Sequence, residues 1–584
     1  MALPVSVPYT FGTANGTVSL SWLDSDFSTV TNAINGIGNG TVTLSTPTIG
    51  ALTGSNISVT NLLASNATIT NLAYTAPFSN SVTQTVTNKL SQIVSVKDFG
   101  AKGDNVTDDT AAIQAALNLG PYHAIYFPSG SYICANLTCG NDITLYGDGL
   151  TNSQLILKAG STGPILTATN AVHLTLKDLG FNGNYTNCPS GTNCVIITGT
   201  ESGGNGFWVD SCGFFNAKTI GLYQIGTYSK ARILNCVAEG NQLDGIVANA
   251  VNLIVEGNRC VSNGRFGILS QGNWGQILGN TCANNGQLVT GGAGIGVLNC
   301  SYSIVANNNC IANGTGTYFT HGIQLNTTNN SVIDGNFSEG NNGSGIDIHI
   351  SAYTTCTNNQ SVGNIVRGIE DDTTSSYSTI DGNVVYGNYE IGISVFNTIG
   401  SIVSNNSIIK NGILGTATNP LTGVSNQPYG LALWGAGSYG NYTLVTNNNI
   451  VQNVGSGSNG VGMWVDPSCI FVSLLGNSLA ANTTQITSVK SNFFVVRDNF
   501  GVVTQQTGTT TLASGATSVA VTFSPALAYA PTASSIVATF TNMPFTNTGA
   551  ITITSVSASG FTLNTYTAPG GSGVGIDWSV SVFA

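Results

Sequence analysis

Charge is what this sequence has least of. Asp, Glu, Lys and Arg together make up only 7% of its 584 residues. Long amphipathic helices need charged residues on their wet face, so a helical architecture is excluded. Disorder is excluded too, because it requires high charge and few hydrophobic residues, and 41% of the chain is hydrophobic. The net charge of −11 and the absence of a basic cluster exclude nucleic acid as a partner. No apolar run is long enough to cross a bilayer, so membrane insertion is not expected. Met1-Ala2-Leu3-Pro4 opens without a basic region followed by an apolar core, so no secretion leader is expected. Without one, the twelve cysteines are expected to be buried thiols acting as small hydrophobes. Cys236, Cys260, Cys282 and Cys310 fall at similar places in successive repeats and suggest one stack of thiols. Cys134/Cys139 and Cys188/Cys194 are the spacings that would allow local disulfides.

What the chain has in abundance is glycine, asparagine, serine and threonine, and from Arg232 to Phe500 they repeat. A Gly-Ile pair recurs at Gly245-Ile246, Gly267-Ile268, Gly294-Ile295, Gly322-Ile323, Gly345-Ile346, Gly368-Ile369 and Gly392-Ile393; Gly430-Leu431 and Gly462-Met463 continue it. Between these pairs lies Asn-x4-Asn, as in Asn336/Asn341, Asn359/Asn364 and Asn383/Asn388. A period of this length, with short alternating strands and Gly/Asn corners, is that of a β-solenoid. Residues one period apart then stack in columns roughly 4.8 Å apart.

The flanks differ from this region. Tyr9-Thr10-Phe11 and Leu20-Ser21-Trp22-Leu23-Asp24 resemble the start of phage tail proteins that attach to the virion. A ten-residue near-repeat follows, Ile57-Ser58-Val59-Thr60-Asn61-Leu62 and Ala67-Thr68-Ile69-Thr70-Asn71-Leu72. Strands this short cannot bury an apolar face alone, which suggests winding with two identical chains; a flexible linker is the alternative. Ser95-Val96-Lys97-Asp98-Phe99-Gly100-Ala101-Lys102-Gly103-Asp104, then Thr107-Asp108-Asp109-Thr110 and a short helix, resemble the N-terminal cap of the pectate-lyase-like right-handed β-helix superfamily. Thr107 or Asp108 is expected to cap that helix. From about residue 501 the Asn pattern gives way to alternating strands such as 518–523 and 551–554, resembling the C-terminal antiparallel module of trimeric phage tailspikes.

The expected fold is therefore all-β. Residues 1–90 form a virion-attachment head and shaft, 91–150 a helix cap and first coils, 151–500 a right-handed parallel β-helix, and 501–584 an antiparallel β-sandwich for trimerisation, carbohydrate binding or both. Taken together the chain resembles a phage tailspike. That resemblance implies a homotrimer made in the bacterial host cytoplasm and carried on the virion, joined to the phage tail or baseplate through residues 1–90. It also implies that the solenoid binds and cleaves a bacterial surface polysaccharide. The resemblance assigns no catalytic residue.

Stacking the strands does. The second residues after each Gly form an outward column of Gln324, Asp347, Glu370, Ser394, Ala432 and Trp464. The fourth form another, Asn326, His349, Asp372, Phe396, Trp434 and Asp466, with His321 and Arg367 at the margin. Asp347 and Glu370 should be direct neighbours. Two carboxylates about 5 Å apart at an effective dielectric near 20 repel by about 3 kcal/mol, so one of them should be held protonated, which supplies an acid and a base. Asp347, Glu370 and Asp372 are the candidate catalytic residues. The Asp347–Asp372 separation is expected at roughly 7 to 9 Å, which suits inverting hydrolysis. His349, Arg367, His321, Gln324, Asn326, Phe396, Trp434 and Trp464 are the candidate substrate-binding residues. No cofactor and no resident metal are expected, although the same residues would also suit a surface ion network or a Ca²⁺ site. Strict alternation would turn Asp371 inward, so the strand is expected to end there. Tyr318, Phe319 and Tyr429 lie in insertions expected to wall a groove. Glu239, Asp244 and Glu256 form a second, looser acidic group. A polysaccharide lyase using Arg367 with His349 or His321, a binding spike without cleavage, and a purely structural spike are the rival readings.

Overall fold

A computed structural model describes residues 73–584, apart from 189, 191, 200–205, 227–228, 414–427, 436–441, 454–459, 488–493, 528–529, 542–549, 572 and 583–584. The attachment segment and the near-repeat at 57–72 lie outside the described residues. So does most of the insertion before Gly430.

Three parallel sheets run the length of the solenoid. Sheet A extends from Leu137–Cys139 to Thr484–Thr487, sheet B from Val94–Ser95 to Phe494–Arg497, and sheet C from Asp104–Asp108 to Asn449–Val451. The coils between the two ends contribute one short strand to each, as in Thr320–Asn326, then Val332–Asp334, then Phe337–Glu339. This is a right-handed parallel β-helix. Its interior is one continuous core of Ile, Leu, Val, Phe and Cys.

The two repeat motifs depend on each other. Asn364 lies where sheet C turns into sheet A, and it is fully buried. Its Oδ1 accepts from the backbone N–H (3.0 Å) and the side-chain amide (2.9 Å) of Asn341, one coil below. Its own Nδ2 donates to Ser338 O and to Asn388 Oδ1, one coil above. The same contacts link Asn241 through to Asn482. A second ladder runs from Asn258 to Asn499 at the turn from sheet B to sheet C. The glycine of each Gly-Ile pair follows from this. A Cβ on Gly345 would sit 2.6 Å from Asn364 Nδ2 and 2.8 Å from Gly368 O. The ladder amide occupies the space that any other residue would need.

All twelve cysteines are free and buried, so the Cys134/Cys139 and Cys188/Cys194 disulfides are absent. Cys260, Cys282 and Cys310 do stack, in register in sheet C. Cys236 does not join them. Its backbone N–H donates to Asn258 Oδ1, so it occupies a rung at the start of the asparagine ladder.

At the N-terminal end the helix Thr110–Leu117 buries Ile113, Ala116 and Leu117. Its cap position is Asp109, one residue later than expected. Asp109 instead accepts from Lys102 N and Gly103 N, while Asp108 accepts from Thr110 N. After the last coil, two three-stranded antiparallel sheets share a core in which Trp578 meets Phe523 and Phe561. One sheet holds Gln505–Leu512, Val574–Ser581 and Ile536–Phe540. The other holds Ser518–Thr522, Gly560–Asn564 and Thr552–Ser557.

Replacing Asn364 by Ala should leave the backbone N–H of Asn341 unpaired in the core and remove the Asn364 amide that donates to Ser338 O and Asn388 Oδ1. Each unsatisfied buried group costs about 1–3 kcal/mol. Chemical denaturation should therefore show a loss on the order of 3 kcal/mol, with no change in the soluble fraction at low temperature.

Candidate functional site

The site lies on the outward side of sheet A, on the strands Thr320–Asn326, Ile346–His349, Arg367–Asp372, Ile391–Phe396, Tyr429–Trp434 and Val461–Val465. Gln324, Asp347, Glu370, Ser394, Ala432 and Trp464 are paired in one row, and Asn326, His349 and Asp372 in the next. The columns read from the period are the columns of the structure. They are not an open surface, however: Asp347 and Glu370 are only 4% and 6% exposed. They lie beside buried His321, whose ring Phe319 meets edge-on at 4.8 Å.

Asp347 and Glu370 are register neighbours, but their carboxylates do not confront each other. Glu370 is held by Arg367 on its own strand and by the Ser344 hydroxyl at 2.7 Å. Asp347 accepts from Gln324 Nε2 at 3.0 Å and lies 3.6 Å from His321 Nε2. The backbone N–H of Ser344 donates to His321 Nδ1, which leaves the ring proton on Nε2, facing Asp347. Burial pushes the His321 pKa below its usual value, so the ring is neutral at pH 7.

The crowding expected between Asp347 and Glu370 occurs between Asp347 and Asp372. Asp347, His349 and Asp372 each offer one side-chain donor atom, all within 4.8 Å of one another. The expected 7 to 9 Å between Asp347 and Asp372 is corrected to this closer approach. Burial first, and then the charge of Asp347, push the Asp372 carboxyl above the usual carboxylate range. His349 pulls the other way: its Nδ1 lies 2.6 Å from Asp372 Oδ1. These three atoms have the chemistry to hold a divalent cation, but the carboxylates already have protein partners in Gln324 and His349. Arg367 is buried enough to lower its pKa from the usual value, and the charges of Glu390, Asp372 and Asp347 oppose the shift. Its Nε has no partner among the described residues.

The strand does not end at Asp371. It runs on to Asp372 and turns Asp371 into the core, fully buried. There Ser378 and Ser401 donate to its two oxygens at 3.2 and 3.0 Å. Burial pushes its pKa up to about 7.

The aromatic residues continue the columns as a packed group. Trp434 and Trp464 lie 4.1 Å apart, Phe396 meets Trp434 at 6.3 Å, and Tyr429 stacks on Trp464 at 5.5 Å. Tyr429 starts the strand rather than lying in the insertion. Asn326 is half-buried at the row's edge, beside His349. Ser344 and Glu390 are the members of the cluster that sequence reasoning missed. Ser344 precedes Gly345 as His321 precedes Gly322 and Arg367 precedes Gly368, so the marginal column would have found it.

The second acidic group is structural. Arg265 grips fully buried Asp244 through two hydrogen bonds of 2.9 and 2.7 Å, and Glu239 pairs with Arg259 at 3.1 Å.

Residues 93–370 match the model of the family described as rhamnogalacturonase A/epimerase, pectate lyase-like. A capsule K30/K69-specific depolymerase 1 of Klebsiella phage K5-2 is 32% identical over 93 residues, 16% of this chain and 12% of that protein. The mannuronan C5-epimerase AlgE5 of Azotobacter vinelandii is 28% identical over 253 residues, 39% of this chain and 25% of that protein. The chain thus spans a quarter or less of the length of these curated relatives. The Dettilon tailspike crystal structure (gp208) is 14% identical, covering 85% of this chain and 96% of its own, with a TM-score of 0.47.

Asp371 gives a prediction about stability. Its folded pKa is raised, so the stability it contributes is full below the unfolded value of about 4 and is lost as pH rises through about 7. Melting temperature should fall across that window. Asp371→Asn should flatten the profile and raise stability at pH 8, read by differential scanning calorimetry.

Proposed function

We propose that this pectate-lyase-like parallel β-helix of the tailspike type acts on a bacterial surface polysaccharide, and that its chemistry begins with proton abstraction from a uronic acid residue. The observation that carries this reading is the partly exposed His349–Asp372 pair on the outward side of sheet A. Asp372 engages Nδ1, which leaves Nε2 as a base facing the groove. Arg367, in the marginal column, acts on Asp372 through its charge and keeps a quarter of its side-chain surface open, so it can offset the uronate charge as carbanion character develops. In elimination, the C5 proton passes to His349 Nε2, a C4=C5 double bond forms and the C4–O bond breaks. The leaving oxygen takes the proton retained by the crowded Asp347–Asp372 pair. Polysaccharide enzymes, including an epimerase named for C5, are among the relatives, which supports this class of chemistry.

Hydrolysis is the second reading, favoured by the proximity of Asp347 and Asp372. Carboxyl groups about 5 Å apart suit a retaining mechanism, with Asp372, whose pKa is raised, as the acid and Asp347 as the nucleophile. Glu370, tied to Arg367 and Ser344, orients the guanidinium in either case. The half-buried aromatic group of Phe396, Trp434 and Trp464 provides flat faces for sugar rings. Residues 1–90 serve attachment to the phage tail, the working form is a homotrimer made in the host cytoplasm, and the protein acts from the virion at the host surface. Light scattering that finds a stable monomer would remove the trimer from this proposal.

Incubation with purified capsules, O-antigens and exopolysaccharides, followed by mass spectrometry and ultraviolet absorbance, separates the readings. Shortened chains that absorb in the ultraviolet are the expected result. Shortened chains without absorbance mean hydrolysis, and inverted uronates without shortening mean epimerisation. Intact, unaltered polymers throughout would overturn the enzymatic reading. His349→Gln and Asp372→Asn should each lower the rate by a factor of about 100 or more, the scale of a lost general base, while the fold is kept. Glu239→Gln and Glu256→Gln should leave it unchanged. Asp244→Asn is expected to destabilise the fold, because Arg265 would lose its buried partner.

A further inference from the structure

A second set of aromatic residues lies away from the sheet A cluster, at the corner where sheet A turns into sheet B. Trp274, Tyr302, Tyr353, Tyr377, Tyr442 and Phe471 take the same position in their coils, just ahead of the sheet B strand. Backbone hydrogen bonds fix that register: Trp274 N to Ser301 O, Tyr302 N to Asn329 O, Tyr353 N to Ser376 O and Tyr377 N to Ile399 O. The rings pair face to face along the solenoid. Trp274 and Tyr302 lie 5.6 Å apart and 9° from parallel, Tyr353 and Tyr377 5.1 Å and 11°, Tyr442 and Phe471 4.6 Å and 2°. Five are exposed, from 48% for Trp274 to 58% for Tyr442, and Phe471 is half-buried.

The backbone at this corner does not favour such residues. All six have positive φ, from 37° at Tyr442 to 61° at Tyr302. That is a left-handed conformation in which bulky side chains are rare and Asn or Gly is usual. The column itself shows the ordinary solution at Asn252 and Asn330 (both φ 53°) and at Gly400 (φ 69°). The core gains nothing from rings half in water. Strain held at a surface position in this way points to a function.

We propose that this ladder is an auxiliary track for an extended polysaccharide chain, separate from the groove in which the bond is broken. It rests on the reading that the protein acts on a polysaccharide. Tyr353 and Tyr377 follow His349 and Asp372 by only a few residues in the same coils, so a polymer leaving the groove at the strand ends meets this corner directly. The rings from Trp274 to Phe471 span roughly 34 Å at one coil rise per step, room for several sugars. An extended pyranose chain advances by roughly one coil rise per ring, which matches the ladder's own step. The setting is polar: rings follow small or polar residues such as Asn273, Ser301, Ala352 and Ser376. Amphipathic rings on a polar ground suit sugars, which present both C–H faces and hydroxyls.

The test uses the full chain with Trp274, Tyr302, Tyr353 and Tyr377 all replaced by Asn, the residue the column already tolerates. The fold should be kept, and melting should be unchanged or higher. Affinity electrophoresis in gels containing polymannuronate, polygalacturonate or purified capsular polysaccharides reads binding, and turnover of a short oligosaccharide reads the groove. At least tenfold weaker retention by the polymer that holds the wild type, with oligosaccharide turnover unchanged, is expected. Equal retention with intact cleavage would overturn the track and leave the enzymatic reading standing. Equal retention with a changed mass by light scattering would assign the ladder to contact between copies and also overturn it. If no polymer retains even the wild type, the track and the polysaccharide reading fall together.

Discussion

From Asn241 onward the coils of the solenoid, and with them the candidate site, are positioned by the buried asparagine ladders. A parallel sheet can slip, and a slip by one residue turns every side chain to the opposite face. The ladder amides prevent this, because each must meet the backbone N–H and the amide of the Asn one coil below. An Asn out of register would leave several donors unpaired in the core, where none is affordable. The Gly before each sheet A strand is needed for the same reason, since the amide fills its Cβ position. Sheet A, with all the proposed chemistry, therefore starts at a fixed point in every coil.

Fixing the starts of the strands puts the charged residues side by side whether or not they repel. The structure then disposes of each charge differently. Glu370 is neutralised within its own strand by Arg367, three residues earlier. Asp347 is held by a neutral amide and faces a neutral histidine. Asp372 shares its site with His349 and bears the repulsion from Asp347, which is why its pKa is pushed up. Asp371, inside, accepts from two serines. Three consecutive acidic residues thus experience three dielectric settings. Only Asp372 combines partial exposure with a partner that can exchange a proton, which is the combination acid–base chemistry requires.

The fold and the composition of the site were legible in the sequence because both are properties of the period. Gln324, Asp347 and Glu370 follow Gly by two residues, and a fixed coil length converts that offset into adjacency. What the period does not carry is where a side chain points at the scale of one hydrogen bond. Asp347 and Glu370 are adjacent at Cα, yet their carboxylates turn to Gln324 and to Arg367 and Ser344. The close pair is Asp347 with Asp372, a diagonal contact. The burial of Asp371 was suggested by alternation and set aside because a carboxyl in a core looks costly; Ser378 and Ser401, from later in the chain, lower that cost. Asp244 gave no sign of its burial, since its partner Arg265 lies a full coil away. Cys236 resembles the other stacked thiols in spacing, but it sits at the sheet B to sheet C corner itself, in the place of the ladder asparagine, rather than two residues after it.

The same period that aligns the candidate site residues on sheet A aligns whatever occupies the corner after it. A β-helix therefore offers two linear arrays for one coil length, one at the strand centres and one at the turn. The two differ in what they can hold. Strand positions accept β-branched, charged and aromatic residues without backbone cost, so they can build a compact polar cluster such as Asp347, His349 and Asp372. The corner imposes a left-handed backbone, and every aromatic residue there adds strain that neither the ladders nor the core recovers. Rings repeated at such a corner are best explained by a ligand as long and as regular as the solenoid. A polymer has that property, whereas a small substrate would engage only one or two coils.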